Sequence, residues 1–149
     1  MPPPTAQIRI CTSRDGARIA YTTYGKGPPL LWVGHWVGQL DLDWDSPVWR
    51  PWLTLLARRH TLVTFDWRGC GLSDREGIEF SWDRYHDDLE AVVAAAGLGR
   101  FDLVSLSASS SAVAITFAAR HPAQVNRLVM CGSATRGIMA RAVTAEQVT

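Results

Sequence analysis

No run of eighteen apolar residues occurs anywhere in this 149-residue chain, so no membrane-spanning helix is expected. The opening Met1-Pro2-Pro3-Pro4-Thr5 lacks the basic and apolar regions of a secretory signal, and residues 1–7 are expected to be a loose tail. Cysteine is scarce: Cys11, Cys70 and Cys131 are odd in number and widely spaced, which fits neither a disulfide framework nor a zinc pattern. A reducing, cytoplasmic setting is the expectation. Charge of one sign is also missing, with a formal net charge of +1 and no Lys/Arg stripe, so nucleic acid is not an expected partner. The acidic stretch Asp41, Asp43, Asp45 alternates as a calcium loop does, yet Ser46 stands at its sixth position and Trp52 at its twelfth, where Gly and Glu would be needed. A solvated acidic loop is expected there, and no metal or cofactor. What the chain does have is 47% hydrophobic and 19% charged residues, a globular balance sufficient for one core.

The hydrophobic pattern reads as alternating strands and helices. Ile8 to Thr12 and Arg18 to Tyr24 flank an Asp15-Gly16 turn and predict an antiparallel hairpin. Leu30 to Val33 is apolar without alternation, as in a strand covered on both faces. Trp49, Trp52, Leu53 and Leu56 recur at helical spacing, with Pro51 in the first turn. Thr61 to Phe65 predicts a strand. Ser81 is a good N-cap for a helix whose apolar face runs Trp82, Tyr85, Leu89, Val92, Val93, Ala96, closed by Gly97. Trp49, Trp52 and Trp82 are thereby assigned to the core, and Trp36 and Trp44 to an apolar pocket lining. His86 falls on a polar helix face, His60 and His121 sit at helix ends, and His35 is a candidate pocket residue.

The chain is organised around Phe101 to Pro122, FDLVSLSASSSAVAITFAARHP. A short strand carrying Leu103, Val104 and Leu106 delivers Ser107 into a turn of small residues, and a helix from about Ala112 carries the chain to Arg120-His121-Pro122. A strand over Arg127 to Cys131 follows. The succession predicts an α/β fold: a mostly parallel sheet with flanking helices and an N-terminal antiparallel hairpin. In such a sheet ligands bind beyond the carboxyl ends of the strands, where four loops should converge: 34–38, 66–74, 107–111 and 132–135. The first parallel strand is followed by Gly34-His35-Trp36-Val37-Gly38 and not by G-x-G-x-x-G, which argues against a dinucleotide site.

Three stretches in combination carry a resemblance: PPLLWVGHW at 28–36, DWRGCGLSD at 66–74, and the strand, serine and helix ending in AARHP at 118–122. From about Ile8 to Gly137 the chain resembles the first part of an α/β-hydrolase. LDLDWDSPVWRPWLTLLARRHTL at 40–62 is similar to the subgroup found beside nucleotide-cyclase or helix-turn-helix regulator domains in bacterial proteins. The resemblance implies that residues 1–149 are the N-terminal part of one such domain, incomplete at the C-terminus, with the lid, acid and histidine segments absent.

It also implies esterase-like hydrolysis of a small acyl compound by the complete domain, with no cofactor. Ser107 would be the nucleophile, and the backbone N–H groups of Ala108 and Trp36 the oxyanion hole. Counting forward from the strand puts Ser107 at the nucleophile position, whereas counting back from Arg-His-Pro puts Ala108 there. Where G-x-S-x-G has glycines, this chain has Ser105 and Ser109, and the family's usual His-Gly reads Gly34-His35. Asp66 and Arg68 are expected to shape the loop and not to act chemically, and Cys70 to be an ordinary thiol. The rival reading is a non-catalytic ligand-sensing or interaction domain of the same fold, and self-association is an open expectation because the unfinished sheet has a free edge.

Overall fold

The computed structural model describes residues 7–133. Residues 1–6 of the predicted tail at 1–7, and the segment from Ala134 onward, including the end of the fourth loop, lie outside the described residues. Six strands and three helices follow one another as β1 (Arg9–Thr12), β2 (Arg18–Tyr24), β3 (Pro29–Val33), α1 (Trp49–Ala57), β4 (Thr61–Phe65), α2 (Trp82–Ala95), β5 (Phe101–Leu106), α3 (Ala108–Arg120) and β6 (Val125–Cys131). They form one sheet in the order β1-β2-β4-β3-β5-β6. The hairpin β1–β2 and the β2–β4 pair are antiparallel, whereas β3 pairs in parallel with both β4 and β5, and β5 with β6. The predicted hairpin and parallel sheet are both present.

Alternation along each strand divides the core. Leu31 and Val33 of β3, Val63 and Phe65 of β4 and Leu103 of β5 pack with Tyr85, Leu89, Val92 and Val93 of α2 and with Val113, Ala114 and Phe117 of α3. Leu30 and Trp32 face the other way and pack with Leu62, Leu106, Trp44 and Leu53 of α1. One helix therefore covers one face and two cover the other, which is why the apolar runs of β3 and β4 lack alternation.

Helix boundaries follow local chemistry. The Ser81 hydroxyl accepts the Arg84 N–H at 3.3 Å and starts α2, and Gly97 at φ 66° ends it. Pro51 sits third in α1, where no intrahelical donor is lost. The helix α3 differs from expectation: it begins at Ala108, not near Ala112, because the strand turns directly into the helix at Ser107 without a loop.

Three placements correct the sequence reading. Trp52 and Trp82 are 45% and 57% exposed, so they belong to the solvent side of their helices and not to the core. Trp44 packs in the core edge-on to Tyr24, with ring centroids 4.8 Å apart, where a pocket lining was expected. His86 is buried on α2, its Nδ1 without a partner, where a polar surface position was expected. Burial lowers its pKa and keeps the ring neutral.

Candidate active site

Four parallel strands end on one edge, and their loops are tied together there. The Trp67 indole N–H donates to the Gly34 carbonyl at 3.2 Å, and the Cys70 thiol donates to the Trp36 carbonyl at 2.6 Å. Trp36 stacks on Trp67 at 5.7 Å and meets Tyr85 edge-on at 4.6 Å. This packing fixes the loop after β3 against the loop after β4. Burial pushes the Cys70 thiol above its ordinary pKa, so it stays protonated and holds its bond to the Trp36 carbonyl.

Asp66 anchors the second loop. Its carboxylate, 1% exposed, accepts the backbone N–H of Leu40 at 3.1 Å and of Leu72 at 2.8 Å. Gly71 passes so close that a Cβ would lie 2.1 Å from Asp66 Oδ2, and its φ of +49° is one that glycine adopts without strain. Burial raises the Asp66 pKa to about 6 against those two donors, with the charges of Asp43 and Asp41 adding to the rise. Arg68 is held within the fold by side chains of the β1–β2 turn and of α2. Its fully buried guanidinium forks onto Asp88 at 2.6 and 2.7 Å, and also binds Asp15 and the Glu79 carbonyl. Asp66 and Arg68 thus have the loop-shaping places expected of them.

His35 lies in the first loop, stacked on Trp49 at 4.2 Å, and its Nδ1 accepts the Val37 N–H at 3.2 Å. Burial lowers its pKa against the opposing charge of Asp43. The neutral ring therefore carries its proton on Nε2. It borders a small cleft with Trp32, Asp43, Leu53 and Phe65. Among the described residues no cluster of three or more His, Cys, Asp or Glu is placed to hold a metal ion. Asp45 pairs with Arg50 at 3.2 Å, and the acidic stretch folds into turns.

Ser107 occupies the turn between β5 and α3. Its φ of 88° is the one positive value outside glycine among the described residues. The next residue, Ala108, opens α3, so its N–H belongs to the first turn, where intrahelical acceptors are missing. Val33 pairs with Ser105 across β3 and β5, so Trp36, three residues beyond one, and Ser107, two beyond the other, leave neighbouring strands at the same edge.

The surrounding serines form two hydroxyl chains that sequence reasoning missed. Ser105 bonds Ser111 at 2.8 Å and Ser111 bonds Ser133 at 2.5 Å, linking β5, α3 and the loop after β6. Ser107 Oγ lies 3.0 Å from Ser110 Oγ and 3.3 Å from Ser109 Oγ, and Ser110 donates to the Leu106 carbonyl. The i, i+3 spacing of Ser107 and Ser110 was the available signal.

Comparison with known proteins agrees with this architecture. The profile of the alpha/beta hydrolase fold family matches residues 32–146. A non-heme haloperoxidase of Rhodococcus erythropolis is 35% identical over 82% of this chain and 43% of its own length. A pyrrolizixenacetamide deacetylase of Xenorhabdus hominickii is 32% identical over 78% of this chain and 42% of its own. Among solved structures, an esterase of a Rhodococcus species superposes with a TM-score of 0.68 and 30% identity, covering 86% of this chain and 46% of that one. The chain spans about two fifths of the length of these curated relatives. With its strand order, its serine turn and a family match over most of its length, the chain belongs to the α/β-hydrolase fold family.

Proposed function

We propose that the complete domain to which this chain belongs is a serine hydrolase acting on a small acyl compound, with Ser107 as nucleophile. The single observation that carries the reading is the left-handed backbone of Ser107 at the strand-to-helix turn. Such a conformation costs a non-glycine residue on the order of 1–3 kcal/mol and concentrates at functional sites. The hydrolase relatives support the reaction class.

In the proposed reaction Ser107 Oγ attacks the acyl carbon while its proton passes to a histidine that the family order places later in the chain. The carbonyl π pair moves onto oxygen, and the N–H groups of Ala108 and Trp36 receive that negative charge. Collapse of the tetrahedral intermediate breaks the bond to the leaving group, which takes the proton from the histidine. Water then attacks the acyl-serine, giving its proton to the same histidine, and the acid product and free Ser107 result.

The test is active-site labelling of the full-length protein with a fluorophosphonate. Wild type should form one adduct that maps to Ser107, and Ser107→Ala should abolish it together with any esterase rate above the general background. Labelling that survives Ser107→Ala, or ligand binding with no adduct in wild type, would replace this reading by the non-catalytic sensing domain.

A further inference from the structure

The hydroxyl of Ser110 sits where it controls the direction of the Ser107 proton. Ser110 is fully buried on the first turn of α3, and its Oγ contacts three oxygens: the Leu106 carbonyl, the Ser107 carbonyl at 3.4 Å and Ser107 Oγ at 3.0 Å. Carbonyl oxygens only accept, so Ser110 gives its single proton to the carbonyl side, where Leu106 is the nearer acceptor. The contact with Ser107 must then be made by the Ser107 proton. Ser109 Oγ, 3.3 Å from Ser107 Oγ, is left to donate into a lone pair of Ser107. The Ser107 hydroxyl is thus oriented by the first turn of α3, with its proton directed at Ser110.

General-base activation of a serine requires the opposite arrangement, with the hydroxyl proton directed at an imidazole nitrogen. We propose that Ser110 is a positioning residue that restrains Ser107 in a proton-averted resting state, released when an acyl ligand draws the hydroxyl round. This rests on Ser107 being the nucleophile. Reaching the reactive orientation then requires breaking one neutral hydrogen bond. Removing the acceptor should raise the rate of Ser107 acylation about fivefold, the equivalent of one such bond.

The experiment uses the full-length protein and the second-order rate of fluorophosphonate labelling, with the thermal midpoint measured on each variant. Ser110→Ala should label about fivefold faster than wild type. Ser110→Thr, which keeps the hydroxyl, should return the rate toward wild type, a rescue that a purely space-filling role would not produce. If Ser110→Ala fails to fold, the near-isosteric Ser110→Cys, a weaker acceptor, should still label faster than wild type. Labelling in wild type with no gain in any folded Ser110 variant overturns the restraint and leaves the nucleophile assignment intact. No labelling in wild type and none in Ser110→Ala overturns both. Labelling that emerges only in Ser110→Ala supports both.

Discussion

Asp15 and Asp66 are carboxylates pulled in opposite directions by their surroundings. Asp15 accepts from Arg68 Nη1 at 2.8 Å and Nη2 at 3.2 Å, and that pairing holds its pKa near 2. Asp66 is raised to about 6 by burial. A depressed carboxyl stabilises the fold above its unfolded value, 3.8, and loses that contribution as pH falls toward 2. A raised carboxyl does the reverse: its contribution is complete below 3.8 and is lost as pH climbs through about 6. Urea midpoints measured across pH should therefore respond in separate windows. Asp15→Asn should flatten the acid limb below about pH 4, and Asp66→Asn should remove a decline between about pH 4 and 6. A single shared window for both variants would refute these assignments. The sequence named Asp66 as loop-shaping, because its motif is local. It gave no sign of the role of Asp15, whose partner lies 53 residues away, nor of the buried His86, which helical periodicity placed on a polar face.

Elements are joined here by one guanidinium. Arg68, just beyond β4, reaches the β1–β2 turn through Ser13 and Asp15, the segment before α2 through the Glu79 carbonyl, and α2 itself through Asp88. Burial would lower its pKa, but the hydrogen bonds it donates to Asp88 and Asp15 outweigh that and raise it. Removing one partner from such a group leaves buried charge uncompensated. Arg68→Ala should cost about 3–5 kcal/mol in urea unfolding, and Asp88→Asn a comparable amount. The double variant should cost clearly less than the sum, since both break the same network. Additive losses would mean that the two side chains act separately. At this scale the sequence was most informative: the Asp15-Gly16 turn, the Ser81 cap and the Gly97 stop each rest on chemistry within a few residues. The start of α3 was misplaced because the four small residues Ala108 to Ser111 read as a loop, whereas Ser107 alone supplies the turn.

For the whole molecule, the parallel half of the sheet ends at β6. The face alternation that buries β3 and β4 does not extend to it: Val129 is 49% and Met130 41% exposed, on opposite faces of the strand. No further strand pairs with its outer edge among the described residues. An unpaired edge with apolar side chains on both faces is a template for another chain. The 149-residue chain expressed alone should therefore self-associate at micromolar concentration, as read by light scattering on a sizing column. Val129→Lys should reduce that association by placing a charge on the edge, while leaving the buried Phe101–Phe117 packing of β5 on α3 unaffected in near-ultraviolet circular dichroism. A chain that stays monomeric without the substitution would refute the reading of this edge as a template.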